Sequence, residues 1–116
     1  MQLGYINEDC SVILVTAPAI DDARLIAKTL VEEKLAACVS IIPETISTYR
    51  WQGKVEEYSE VTLMIKTKDN LFEEVVDRVK KLHPATLPEI ISARIDQITD
   101  DYKVWLFDET KDPNDS

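Results

Sequence analysis

The stretch KLAACVSIIP at residues 34–43 decides the fold, because it carries the chain from the end of a helix into a buried strand. From Leu35 onward its residues are small or apolar, which favours a strand over residues 37–48. Pro43 lies within that strand and has no backbone N–H to donate to a neighbouring strand. We therefore predict a bulge or an edge position at Pro43.

The stretch YRWQGKVE at residues 49–56 predicts an aromatic hairpin. Gln52 and Gly53 supply the residues of a tight turn, so that a third strand follows over residues 55–67. The apolar residues on one face of this strand are Val61, Leu63 and Ile65.

The remaining elements follow from apolar periodicity and from residues that start or stop helices. Their order predicts an α+β fold, a ferredoxin-like βαββαβ sandwich with both helices on one sheet face and a short C-terminal helix. We expect a single domain over residues 1–116, ordered over about residues 10–108, with a frayed tail at residues 111–116. The predicted elements are a strand at Cys10–Ala17, a helix from a cap at Asp21 or Asp22 to about Glu33, a helix from a cap at Asp69 to Pro84, a strand over residues 89–98 and a helix opening at Asp100 or Asp101.

In this arrangement no helix is left for the second face of the sheet. An uncovered apolar sheet face and a long hairpin both need a partner surface. From these features alone, the sequence predicts an oligomer.

Later segments agree with the first two stretches, namely LHP at residues 82–84, LPEII at 87–91 and YKVWL at 102–106. Together these segments closely resemble the CutA family of divalent-cation tolerance proteins, from about Ser11 to Phe107. The resemblance implies a compact homotrimer, with sheets packed about a threefold axis and edge strands paired between subunits. It also implies a role in divalent-cation tolerance.

The charge balance limits the partners. A formal net charge of −9 repels phosphate backbones and anionic membranes, so we expect neither nucleic acid nor membrane as a partner. The same negative charge attracts cations, although most of the acidic side chains that produce it belong to ordinary solvated surface. Cys10 and Cys38 are the two cysteines, and we expect free thiols and a cytoplasmic location.

Three residues are candidate metal ligands. His83 is the only histidine, and imidazole is a versatile ligand, but a histidine in the last turn of a helix also interacts well with the helix dipole. A thiolate at Cys38 would bind soft metals, yet a cysteine in an apolar strand usually packs as a small hydrophobe. Glu89 is a weaker candidate that would complete a site with water.

The chain departs from the resembled family near His83. Ala85 and Thr86 stand where the family usually has an aromatic residue and a carboxylate. Members proposed to bind copper have a cysteine near the end of strand one and two adjacent histidines, where this chain has Val15 and Leu82-His83. We therefore expect no firmly bound cofactor and at most weak binding of a divalent metal, with Cu preferred.

Six aromatic or charged residues are candidates for a cleft between subunits, where the resembled family gathers such residues. Large aromatic residues are also common at ordinary interfaces, and that interpretation is favoured here. The six residues are Tyr49, Trp51, Glu60, Lys66, Tyr102 and Trp105.

The sequence contains none of the common catalytic or phosphate-binding motifs. We therefore predict a protein that is not an enzyme and that acts in divalent-cation tolerance by weak metal binding or signalling. One alternative is a trimeric sensor of small ligands, similar to the PII signalling proteins by fold analogy. Another is a trimeric scaffold for a protein partner.

Overall fold

The computed structural model describes residues 8–115, which form one antiparallel four-stranded sheet with helices packed on it. The strand order is β2-β3-β1-β4, which is the ferredoxin-like order, so the predicted fold class is confirmed. The elements are β1 (Cys10–Ala17), α1 (Ile20–Glu32), β2 (Cys38–Trp51), β3 (Lys54–Lys68), a 3-10 turn (Asp69–Leu71), α2 (Phe72–Leu82), β4 (Ile90–Arg94) and α3 (Asp100–Asp108).

The main core lies between α1, α2 and one face of the sheet. Alternate residues of β1 and β3 point to this face, because side chains along a strand alternate between the two faces. The fully buried residues include Ile13, Val15, Leu63 and Ile65 from the strands, and Ile26, Leu30, Val75 and Val79 from the helices.

The end of α1 explains how residues 34–43 redirect the chain. Lys34 adopts the left-handed conformation, with φ 60°, and its N–H donates to the carbonyl of Val31 at 3.1 Å. The N–H of Leu35 donates to the carbonyl of Leu30 at 2.9 Å. These two bonds are the Schellman pattern, which closes a helix and reverses the chain. A lysine therefore takes the position where glycine is usual.

The predicted helix caps are wrong. Helix α1 begins at Ile20, so Asp21 and Asp22 lie inside its first turn, where their charges favour the helix dipole without capping it. Helix α3 begins at Asp100, as predicted, and Thr99 before it makes no side-chain cap.

Asp69 has another role. It begins the 3-10 turn ahead of α2, and its Oδ1 accepts a hydrogen bond from the Oγ of buried Ser11 at 2.6 Å. Its Oδ2 lies 3.3 Å from a guanidinium nitrogen of Arg94. Asp69 thus ties together the adjoining ends of β1, β3 and β4.

The predicted fourth strand is too long. It ends at Arg94, although the N–H of Ile95 still donates to the carbonyl of Cys10 at 2.8 Å, and the side chains of Ile95 and Ile98 pack on a second, smaller core. That core contains Cys10, Ala37, Leu106 and Phe107. Helix α3 therefore covers one end of the second sheet face, which the sequence analysis had expected to be entirely uncovered.

The β2–β3 hairpin confirms the predictions at Pro43 and Gly53. The register shifts between Ile42 and Thr45, so one extra residue forms a bulge around Pro43. Gln52 and Gly53 both have positive φ, 49° and 81°, as a two-residue hairpin turn of type I′ requires.

The hairpin is longer than the strands beside it. Pairing of β1 with β3 stops at Ala17 opposite Val61, whereas β2 and β3 remain paired out to Trp51 opposite Lys54. Residues 45–60 form a two-stranded ribbon beyond the end of β1, which we call the hairpin arm. The molecule is accordingly elongated, 50 × 29 × 22 Å. No helix among residues 8–115 is long and apolar enough to cross a membrane.

The segment after α3 is attached to the sheet by Lys68. The side chain of Lys68 is only 4% exposed, and its Nζ donates to the carbonyls of Thr110 (3.3 Å) and Lys111 (3.0 Å) and contacts Asp112 (3.1 Å). The ammonium also lies 5.1 Å from the ring centroid of Phe107. These contacts oppose fraying of the segment. The fraying expected over residues 111–116 stays a prediction. Ser116 and residues 1–7 lie outside the described part of the chain.

Lys68→Met is expected to release this segment while the sheet stays folded. Methionine keeps the buried volume but leaves the carbonyls of Thr110 and Lys111 without a charged donor, and hydrogen bonds to charged groups contribute about 1.5–3 kcal/mol. Amide hydrogen exchange over residues 110–115 should accelerate by about tenfold or more. Asp112→Asn is the matched control, because Asp112 is 79% exposed and its ion pair contributes little. Equal exchange rates in Lys68→Met and wild type would contradict this role.

Candidate functional site

His83 lies immediately after α2, and both of its ring nitrogens have partners within the chain. Its Nε2 is 2.6 Å from the carbonyl oxygen of Thr16, and the backbone N–H of Ala85 donates to Nδ1 at 3.0 Å. A carbonyl can only accept and a backbone amide can only donate, so the imidazole is neutral, with its proton on Nε2. The ring joins the end of β1 to the loop after α2.

These bonds bear directly on metal binding. A metal ion needs an imidazole lone pair, and the only one in this tautomer already accepts the Ala85 hydrogen bond. Among residues 8–115, no three His, Cys, Asp or Glu side chains converge as a ligand group. The exposed Glu89 and the half-buried Cys38 therefore do not complete a site with His83. The residues present do not fit a preformed site for a resident metal.

Cys38 lies on the second face of the sheet, directly opposite Lys66. The Nζ of Lys66 is 3.8 Å from its Sγ and also hydrogen-bonds the Oγ of Ser40 through a short contact. Cys10 is buried beneath α3, and burial raises the pKa of its thiol. Both thiols are free, as predicted.

Helix α3 carries two neighbouring aromatic rings. The centroids of Tyr102 and Trp105 are 5.3 Å apart. Burial raises the pKa of the Tyr102 phenol, and the proximity of Cys38 adds to the rise. Tyr102 and Trp105 thus form an aromatic pair on α3, and Cys38, Ser40 and Lys66 form a polar cluster on the second sheet face.

The other residues predicted for the cleft lie elsewhere along the same ladder. Glu60 accepts a hydrogen bond from Ser47 at 3.2 Å near the base of the hairpin arm. Trp51 lies at the tip of the arm, opposite Lys54. Lys54 is twelve residues from Lys66 on the same strand, so Trp51 lies about 40 Å from Lys66 along the strand. A single chain does not bring the six predicted residues into one cleft, and a cleft between subunits stays a prediction.

Two contributors were missed by the sequence analysis. Tyr58 packs on Tyr49 with ring centroids 5.9 Å apart, and Ser40 accepts from Lys66. Both could have been found by counting outward from the Gln52-Gly53 turn, because hairpin register pairs Ser47 with Tyr58 and so places Tyr49 diagonal to it. The bulge at Pro43 shifts the register between the turn and Ser40. Finding the partner of Ser40 by counting from the turn must therefore include the extra residue of this bulge.

A shallow pocket of about 370 Å³ lies between α2 and the loop that follows His83. It is lined mostly by apolar side chains, including Phe72 and Val76, and Lys80 is its one charged residue. It contains no candidate metal ligand and no pair of groups suited to acid–base chemistry.

Comparison with known proteins decides the family. A family model described as CutA1 divalent ion tolerance protein matches residues 11–109, which is most of the chain. The chain belongs to the CutA1 family. The family resemblance noted in the sequence is therefore confirmed.

Two CutA relatives match the chain over nearly their whole length. The divalent-cation tolerance protein CutA of Thermus thermophilus is 48% identical over 99 residues, covering 85% of this chain and 96% of the relative. The corresponding protein of Pyrococcus horikoshii is 40% identical over 100 residues, covering 86% and 97%. The solved Thermus thermophilus structure superposes with a TM-score of 0.85 at 47% identity, covering 88% of this chain and 99% of that one.

CutA proteins are not all described from one compartment. A structure from Archaeoglobus fulgidus with a TM-score of 0.85 and 36% identity, covering 88% of this chain and 99% of that one, is described as a periplasmic divalent cation tolerance protein. Family membership therefore does not by itself assign a location to this chain.

The geometry at His83 predicts a measurable structural role. His83→Ala removes the bond to Thr16 and leaves the Ala85 N–H without its acceptor, so the free energy of unfolding should fall by about 1–2 kcal/mol. Urea unfolding at fixed protein concentration measures this. The control is Lys81→Ala, an exposed change in the same helical turn, expected within about 0.5 kcal/mol of wild type. A loss no larger than the control's would contradict the role.

Proposed function

We propose that the protein acts in divalent-cation tolerance as a homotrimer in the cytoplasm and that it catalyses no reaction. The observation that carries the proposal is the hairpin arm, which projects beyond the sheet with apolar side chains on its surface. Free thiols support a reducing compartment.

The hairpin arm needs a partner surface. Ile46 (64% exposed), Tyr58 (51%), Val55 (66%) and Trp51 (46%) all lie on this two-stranded ribbon. An isolated two-stranded ribbon is at best marginally stable in water. Packing against another copy would bury these side chains and hold the ribbon in one conformation.

The second sheet face also favours self-association. Helix α3 covers only one end of it, and the remainder carries Val12, Leu14, Met64 and Ile91, the last 54% exposed. A closed ring of identical copies satisfies such a surface without leaving an open end. Three copies are proposed because the chain is a CutA1 protein and the family resemblance implies a trimer.

The proposed assembly should appear as a mass of three chains in sedimentation equilibrium at micromolar concentration. Trp51→Ala should raise the concentration of half-dissociation by about tenfold or more, because truncating a buried interfacial aromatic commonly costs about 2 kcal/mol or more. Leu25→Ala is the matched control, since Leu25 is similarly exposed but lies on the outer side of α1. A wild-type monomer would overturn the proposal, and unchanged assembly of Trp51→Ala would remove the arm tip from the interface.

Any cation is proposed to be held weakly and exchangeably, with water completing its coordination. Binding at His83 Nδ1 must displace the Ala85 hydrogen bond, which lowers the net affinity. For a nitrogen and oxygen site, Cu(II) is expected to bind ahead of Zn(II).

Isothermal titration with Cu(II) and Zn(II) tests this cation binding. Affinity should be micromolar or weaker and should be higher for Cu(II). His83→Ala should abolish binding, while Cys38→Ser should preserve it. Sub-micromolar affinity in wild type, or unchanged affinity in His83→Ala, would show that other ligands hold the metal.

A further inference from the structure

We propose that the shallow pocket between α2 and the loop after His83, which we call the α2 pocket, binds a medium-chain fatty carboxylate. The alkyl chain lies along α2, and the carboxylate meets the ammonium of Lys80. This binding goes beyond the role in cation tolerance and needs no metal ion.

The α2 pocket has the size and the lining of a small-molecule site. Its volume of about 370 Å³ lies within the range of about 300–1,000 Å³ that is usual for ligand pockets. Two of its lining residues, Lys80 and Thr86, are polar, and the other six are apolar. Such a lining suits a ligand that is mostly hydrocarbon and has one polar end. The six apolar residues are Phe72, Val76, Ala85, Leu87, Pro88 and Ile90.

Part of this apolar lining is open to water. Leu87 is 74% exposed, and Phe72, Val76 and Ile90 are only partly buried by the chain's own packing. The hydrophobic effect therefore favours a ligand that removes this area from water.

The spacing of the lining residues on α2 indicates the length of the ligand. Phe72, Val76 and Lys80 are four residues apart, so they lie along one side of α2 with Lys80 in the last turn. At a rise of about 1.5 Å per residue, Phe72 and Lys80 are about 12 Å apart along the helix axis. An extended alkyl chain of about eight to ten carbons, with C–C bonds of about 1.5 Å, spans the same distance.

The charge of the lining indicates an anionic end. Lys80 is the one charged residue that lines the pocket. The acidic residues of α2, Glu73, Glu74 and Asp77, lie outside the lining. A carboxylate brings a single charge to a single ammonium, and the hydroxyl of Thr86 provides a further donor. A dianionic head group would be opposed more strongly by the net charge of −9 on the chain.

The loop wall of the pocket is held in place before any ligand binds. The N–H of Ala85 donates to His83 Nδ1 at 3.0 Å, and His83 Nε2 lies 2.6 Å from the carbonyl oxygen of Thr16. His83 therefore joins a lining residue to the end of β1. A pocket that is already formed loses less conformational freedom when its ligand binds, which favours affinity.

The competing occupant is an apolar side chain from a second copy of the chain. Ile90 begins β4, which is an edge strand of the sheet, so a neighbouring copy paired with that edge would lie close to the pocket. Ligand binding and assembly must therefore both be measured on the intact oligomer.

Amide NMR spectra of the intact oligomer, titrated with sodium octanoate below its micelle-forming concentration, locate and measure the binding. Amide signals within residues 72–76 and 85–90 should shift saturably. 1-Octanol and octylammonium should each bind at least about fivefold more weakly, because neither brings a negative charge to Lys80. Hexanoate should also bind about fivefold more weakly, because it buries two fewer methylene groups in a pocket that is open on one side.

Lys80→Met tests the charged contact. It should weaken octanoate about fivefold and leave the affinity for 1-octanol unchanged. Lys81→Met is the matched control, since Lys81 is an exposed lysine of the same helical turn that does not line the pocket. It should leave the affinity for both ligands unchanged.

Three results would overturn the proposal. Binding of 1-octanol or octylammonium as tight as that of octanoate would exclude recognition of an anion. Equal octanoate affinity in Lys80→Met and Lys81→Met would exclude the lysine. Absence of octanoate shifts within residues 72–76 and 85–90 would exclude the pocket as a ligand site. If Leu87→Asp then also dissociated the oligomer in sedimentation equilibrium, the pocket would belong to a contact with a second copy. The copper titration at His83 is performed without octanoate, so the two proposals fail separately.

Discussion

The pairing of β1 with β3 is the constraint on which the other features depend. Its register, from Cys10 opposite Lys68 to Ala17 opposite Val61, assigns every paired residue of the two strands to one face or the other. A shift of β3 by one residue against β1 would exchange the faces of β3. Ile65 would then point away from the helices, and Lys66 would point into them.

The two sheet faces are covered unequally, and the surface properties of the molecule follow from this. Helices α1 and α2 bury the core side of β1 and of the part of β3 paired with it, whereas α3 covers only the Cys10 end of the other face. Beyond α3, this second face carries the apolar side chains of Leu14, Met64 and Ile91. Because β1 is also much shorter than β3, the outer part of the hairpin has neither a third strand nor a helix against it.

Polar groups at the chain's ends and junctions are satisfied internally. Asp69 joins three strand ends, Lys68 holds the segment after α3, and His83 fastens the loop after α2. Such groups stabilise the fold. Charged residues and a histidine, which often indicate a functional site, therefore have structural roles here. Lys66 differs, because it is half-buried with neutral partners only.

The sequence by itself determined the family, the order of elements, the bulge at Pro43 and the turn at Gly53, because these depend on local periodicity and on backbone chemistry. It also singled out His83 and Lys66 as residues of interest. Tertiary structure alone decided their surroundings: which carbonyl the imidazole meets, how far Trp51 lies from Lys66, and that Asp69 binds Ser11 rather than capping a helix. These contacts join residues far apart in the chain, and their partners are set by packing of whole elements, which no short stretch of sequence encodes.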